Sequence, residues 1–429
     1  MPGNSNGSND ESAPLLGPRR RAEGPWYKTL PQHVAHVTWA TLCSNYVNVL
    51  LVFVPLGIIA GALGWSPPAV FILNFIAIMP LAALLSFATE ELSAKLGQTL
   101  GGLLNATFGN AVELIVSAPA WARTVSIVAL NKNEIRIVQA SMLGSILSNI
   151  LLVLGCCFLA AGLREQESSF NSTVASTMSS LMAVASASLI IPATLYAAMS
   201  DMKQGESDRN IALLSHGTSI ILLILYILYL YFQLFSHHAM FEDAESQESS
   251  SDDESGNTLS PIASGIALVV VTVMVAVCAE FLVGSIEGIV DSTGISKTFI
   301  GLILIPIVGN AAEHVTAVIV AYKGKMDLAI NVAIGSSMQI ALFVTPFLVI
   351  LGWIIGKDMT LHFQGFETVV FFLSVLVVNY LIQDGKSNYL EGCMCLGTYA
   401  IIGLAFYVYP DKAKGDLGSN FVKNFFSPG

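Results

Sequence analysis

From about residue 44 to residue 409 the sequence is a succession of apolar stretches, each about 18 to 28 residues long and separated by short polar turns. About 20 residues suffice to cross the hydrocarbon core as a helix, and inside lipid a helix satisfies every backbone N–H and C=O within its own segment. An all-α integral membrane protein is therefore expected. Eleven spans can be drawn, at 44–64, 69–93, 99–129, 137–162, 173–200, 211–235, 260–286, 297–321, 327–355, 366–383 and 388–409. Composition agrees, with 54% hydrophobic and 11% charged residues, where an ordinary soluble domain carries roughly a quarter charged.

Much of the net charge of -11 comes from one loop, so it marks no acidic binding face and argues against nucleic acid as a partner. The six cysteines, Cys43, Cys156, Cys157, Cys278, Cys393 and Cys395, lie in or at the edge of apolar spans and are expected to be small core residues rather than bridges. Residues 1–43 form a polar arm containing Arg19, Arg20 and Arg21, and a basic cluster before the first span favours a cytosolic N-terminus. In that arm, Glu11-Ser-Ala-Pro-Leu15-Leu16 reads either as an acidic dileucine sorting signal or as a chance match.

A repeat organises the spans. Gly109-Asn-Ala-Val-Glu113 in the third returns as Gly309-Asn-Ala-Ala-Glu313 in the eighth, and Gln139-Ala-Ser-Met-Leu-Gly144-Ser145 is answered by Ala333-Ile-Gly335-Ser336-Ser-Met-Gln339. Two five-helix units follow, 69–235 and 260–409, with the first helix (44–64) outside them, an acidic cytosolic loop (236–259) between them and a tail at 410–429. An odd number of spans per unit forces inverted topology.

A carboxylate inside the bilayer is expensive, so Glu113 and Glu313 call for a function. Asn and Glu three apart share a helical face, which puts Asn110 with Glu113 and Asn310 with Glu313. The glycines, with Pro306, weaken the helix where the acids lie and release carbonyls toward them. Carboxylate, amide, hydroxyl and carbonyl oxygens make the shell a hard cation such as Ca2+ takes. Two glutamates in a dry site also compete for a proton, so protons and Ca2+ displace one another.

These elements, together with Thr89-Glu-Glu-Leu in the second span and the run Gly101-Gly-Leu-Leu-Asn-Ala-Thr-Phe-Gly-Asn-Ala-Val-Glu113, resemble the vacuolar Ca2+/H+ exchangers of fungi and plants, within the cation/Ca2+ exchanger superfamily, and most nearly the fungal form. The resemblance covers about residues 45 to 410. It implies a site drawing on Asn110, Glu113, Gln139, Ser145, Asn310, Glu313, Ser336 and Gln339, with Ca2+ held by Glu113 and Glu313. It also implies a vacuolar membrane, a cytosolic N-terminus, export of cytosolic Ca2+ into an acidic lumen and some Mn2+ transport in relatives; no cofactor is expected, and no enzymatic activity, since no paired catalytic motif for hydrolysis appears in the spans.

Other readings stay open beside it. A Na+-coupled exchanger would use the same glutamates, whereas a passive channel fits poorly because filters assemble around symmetry axes. Glu90 and Glu91 at the end of the second span, with Glu280 at the comparable place in the seventh, are either an ion antechamber or acids near a headgroup. His314 relays protons or simply packs, its neighbour Glu313 projecting about 100° away. The acidic residues Glu242, Asp243, Glu245, Glu248, Asp252, Asp253 and Glu254 form a solvated or a regulatory loop and lack the order of an EF-hand.

One departure from the repeat stands out. Glu113 to Gly144 is 144 minus 113, or 31 positions, but Glu313 to Gly335 is 335 minus 313, or 22. The nine extra residues map to 118–126, which follow Val116-Ser117 and end in its duplicate Val125-Ser126, and are either a bulge begun at Pro119 or a misplaced splice boundary. Deleting 118–126 is expected to preserve or improve exchange in reconstituted vesicles; loss of transport in a well-inserted deletion would make the segment a working part.

Overall fold

A computed structural model describes residues 46–96, 135–199, 204–237 and 260–409. Within them the chain is almost wholly helical. The helices are α1 (Phe53–Ala62, entered by a 3-10 turn), α2 (Pro67–Leu96), α3 (Ile135–Gly162), α4 (Ser172–Ala198), α5 (Gln204–Tyr231), α6 (Pro261–Thr293), α7 (Lys297–Gly309), α8 (Ala311–Tyr322), α9 (Met326–Ile354), α10 (Gly365–Leu381) and α11 (Tyr389–Val408). Among the described residues seven helices are long and apolar enough to cross a membrane, an eighth span arises if α7 and α8 are one bent helix, and Val47–Ala62 and Gly365–Leu381 are shorter apolar helices. The third expected span, Asn110, Glu113, the insertion 118–126 and all seven acids of the 242–254 loop lie outside the described residues.

The helix ends follow local chemistry. Ser260 caps the N–H of Ala263, Pro261 sits in the first turn, and Gly294 closes α6 with φ +74, a left-handed conformation glycine adopts without cost. This carries α6 seven residues beyond the expected end at 286, because polar caps rather than loss of hydropathy terminate it. The five described cysteines are free; Cys393 is exposed and Cys395 buried, so the pair points to different sides.

Small residues let the helices approach closely, as expected where lipid supplies no hydrophobic drive between them. A Cβ on Gly144 of α3 would stand 2.1 Å from the Leu302 carbonyl oxygen and 2.6 Å from Pro306 Cγ of α7. The core of α3 is the most enclosed part of the molecule, with Ile137 to Ile150 buried without interruption. α2 and α6 pack antiparallel, Gly288 lying against Pro67.

Connections at the two ends are tied crosswise. The 163–171 connection pairs through β1 (Ser168–Ser169) with β2 (Lys386–Ser387), and Arg164 Nη1 donates to the Tyr322 carbonyl at 2.9 Å. At the opposite end the strap 357–364, between α9 and α10, runs extended with alternate residues inward: Met359, Leu361 and Phe363 are 1%, 0% and 1% exposed. Its intervening His362 packs on Tyr196, the rings tilted by 32° with 4.2 Å between centroids.

Burial holds the His362 imidazole below its ordinary value of 6.5, and the Arg136 guanidinium adds to this while Asp208 opposes it. A histidine depressed in the folded state favours the neutral ring, so the strap is held fully above about pH 6.5 and loosens as pH falls below it. The protection of the Leu361 amide, with the intrinsic slowing of exchange at lower pH divided out, is expected to fall over that acidic window, and His362→Gln is expected to flatten this dependence on pH.

Candidate functional site

The eighth expected span breaks where the sequence weakens it. α7 ends at Gly309, Asn310 takes φ -92 and ψ 10, and α8 continues at an angle of 58°. Glu313 falls in the first turn of α8, where the helix dipole favours a negative group.

Three helices meet at its carboxylate. Ser336 Oγ on α9 donates to Glu313 Oε2 at 3.1 Å, and Asn149 Nδ2 on α3 donates to Ser336 Oγ at 3.0 Å. Asn310, fully buried, turns its Nδ2 toward the Ser145 carbonyl oxygen at 3.5 Å. His314 Nε2 lies 3.1 Å from Ser148 Oγ, so the ring leaves the carboxylate's face and meets α3. Both α3 and α9 carry a π-type turn here, at Ser148–Val153 and Ile340–Val344, beginning four and five residues after Gly144 and Gly335. Such turns rotate side chains out of α-helical register and recur at functional sites.

Several buried oxygens in this region have no hydrogen-bond partner among the described residues: Asn149 Oδ1, Asn310 Oδ1 and Ser145 Oγ, on side chains 1%, 0% and 0% exposed. Orphaned buried acceptors are rare in native proteins. Oxygens of this kind are the donor type a hard cation takes.

Of the residues expected at the site, Ser145, Asn310, Glu313 and Ser336 are brought together. Gln339 lies half-buried one turn beyond Ser336, at the mouth of the π turn. Gln139 is not brought there: its Nε2 donates to the Thr360 and His362 carbonyls at 3.0 and 3.2 Å. Six residues of α-helix separate it from Ser145, which places the two about 120° apart around α3. The amide that α3 does supply is Asn149, four residues beyond Ser145 and hence on its face. A polar pair, Ser148-Asn149, inside the run from Ile146 to Leu154 was the available signal.

The candidate antechamber acids are likewise separated. Ser86 Oγ donates to Glu90 Oε1 at 2.9 Å, and Glu91 pairs with Lys95 at 3.2 Å. With α2 and α6 antiparallel and Pro67 beside Gly288, Glu90 stands 23 residues from that contact (90 minus 67) and Glu280 only 8 (288 minus 280). At 1.5 Å per residue the two lie roughly 22 Å apart along the pair, in opposite halves.

The profile of the sodium/calcium exchanger protein family matches residues 66–235 and 263–408. This chain belongs to the sodium/calcium exchanger family. A vacuolar calcium ion transporter of Schizosaccharomyces pombe is 50% identical over 401 residues, 93% of each chain. A Ca(2+)/H(+) antiporter of Aphanothece halophytica is 44% identical over 371 residues, 84% of this chain and 96% of the relative. Among solved structures, native YfkE superposes with a TM-score of 0.70 at 35% identity, covering 85% of this chain and 100% of its own. In this exchanger fold Glu313, Ser336 and Asn149 form one polar chain across three helices.

Asn149→Leu removes both the donor to Ser336 Oγ and an orphaned oxygen, while Ser336 keeps its bond to Glu313, a lost hydrogen bond worth about 0.5–1.5 kcal/mol. Radiocalcium binding to the detergent-solubilised exchanger is expected to weaken about tenfold, with the protein still inserted and monodisperse.

Proposed function

We propose that this chain is a secondary active antiporter exchanging protons for Ca2+, moving cytosolic Ca2+ into the acidic vacuole by alternating access. The observation that carries it is the polar chain Asn149–Ser336–Glu313, set among orphaned oxygens within otherwise apolar helices. Those groups suit a hard cation, and they suit it reversibly. A carboxylate shared between a metal and a proton is the element that couples the two fluxes. The names of the relatives support cargo and compartment, one being a vacuolar calcium transporter and another a Ca(2+)/H(+) antiporter.

In this reading Glu113 and Asn110 of the third span complete the cage opposite Glu313 and Asn310. The full architecture is eleven spans, a first helix followed by two inverted five-helix units. The N-terminus and the acidic loop then share the cytosolic side, where Glu90 and Glu91 of α2 gather cations, and Glu280 serves the opposite half of the same helix pair. Mn2+ is the further cargo that the resemblance adds. A resident cofactor has no part in this cycle, since cargo and protons pass through the same oxygens.

Ca2+ uptake into reconstituted vesicles under an imposed pH gradient tests this directly. Uptake is expected to collapse with an uncoupler, and Glu113→Gln or Glu313→Gln is expected to reduce it below about a tenth of wild type. Uptake that follows a Na+ gradient instead, and ignores the uncoupler, would assign the chain to Na+ coupling.

A further inference from the structure

Gln139 sits among the polar residues of α3, yet its amide nitrogen is committed to the strap rather than to the cation cage. One turn earlier, Arg136 of α3 forms an ion pair with Glu367 in the first turn of α10, a carboxylate with no exposed surface. Glu367 also accepts from the Gln364 N–H and so closes the capping box that starts α10 where the strap ends. From α5, Ser215 Oγ accepts the Leu361 N–H at 3.1 Å. Arg136, Gln139, Tyr196 and Ser215, which grip the strap or its junction with α10 from other helices, all precede residue 236, although the strap itself lies between α9 and α10; from the second half, Phe406 of α11 also packs on Phe366 in the first turn of α10.

The opposite end repeats the arrangement with the halves exchanged. There the 163–171 connection, between α3 and α4, is held by the Tyr322 carbonyl, by Asp327, which accepts from the Asn171 N–H at 2.6 Å, and by Lys386, which pairs with Glu167 at 3.1 Å. Each half of the chain fastens a connection of the other. The two fastenings differ in enclosure: Lys386 and Glu167 are 58% and 64% exposed, whereas the strap's Met359, Leu361 and Phe363 are buried.

We propose that Gln139 is a positioning residue for cation exchange, latching the 357–364 strap across the end of α3 and so fixing the helix that presents Ser145 and Asn149, rather than giving an oxygen to the cation. Gln139 and Ser145 are six residues apart, about 9 Å along the helix. Any shift of the α3 end relative to the strap is carried rigidly to the cage, because Gly144 seats α3 against α7 with no room for a methyl group. The proposal rests on the reading of α3 as a wall of the cation site.

Donor and acceptor chemistry separates the latch from a ligand. A latch needs the N–H of the amide; a ligand needs its oxygen. Gln139→Glu keeps oxygens and loses the donor, and Gln139→Ala loses both. Two measurements on wild type and both variants decide: hydrogen exchange of the strap amides in Ca2+-free detergent, and radiocalcium uptake in vesicles under a pH gradient. The latch requires Leu361 to exchange about tenfold faster in both variants, with maximal uptake falling about fivefold or more and KM for Ca2+ staying within about twofold. Unchanged strap exchange in Gln139→Ala overturns it. So does a KM that rises about tenfold in Gln139→Ala and returns in Gln139→Glu, which is the behaviour of an oxygen ligand. If the alanine variant does not insert, Gln139→Met is measured in its place against the same criteria. A wild type that itself moves no Ca2+ would sink the Ca2+/H+ reading and with it the positioning role, while faster strap exchange in the variants would still show the amide contact to be a latch on the strap.

Discussion

An ionisable group among apolar helices is tolerated only when other polar groups meet it, and here the Glu313 carboxylate is met by a hydroxyl that is itself held by an amide. The three residues come from α8, α9 and α3, so the interaction fixes three helices relative to one another. Satisfaction is incomplete: amide and hydroxyl oxygens beside the carboxylate have no partner among the described residues. In low-dielectric surroundings that deficit is a binding energy in waiting, since a cation placed there recovers what the oxygens lost on leaving water.

Close packing makes this geometry possible. α3 approaches α7 across Gly144 and Gly301, the latter facing the Ala140 side chain, and backbones at that distance leave no slack for the polar chain to drift. The bend of 58° at Asn310 then turns α8 so that its first residues look into the cluster rather than along it. A straight helix would have carried Glu313 and Asn310 past the site on one continuous face. Crossed ties at both ends, exposed pairs at one and a buried strap at the other, keep the halves of the chain from separating while the apolar helices supply little specific attraction of their own.

The sequence by itself determined a helical membrane protein and pointed to the polar residues within its helices. Stretches of sufficient length and apolarity have no alternative to spanning helices, and ten of the eleven expected spans coincide with helices among the described residues, because backbone hydrogen bonding in lipid leaves a single solution. Glu313, Asn310, Ser336 and Ser145 were legible for the same reason: polar groups inside such spans stand out against their surroundings. What the sequence left undecided was which face each group takes. Gln139 and Asn149 lie on one helix ten residues apart, but 3.6 residues per turn and a π-type turn beginning at Ser148 send one amide to the strap and the other to the cage. The acids of α2 and α6 occupy comparable places in the sequence, yet antiparallel packing sets them in opposite halves. Facing and pairing arise from helix rotation and packing between distant segments, and only the tertiary structure could decide them.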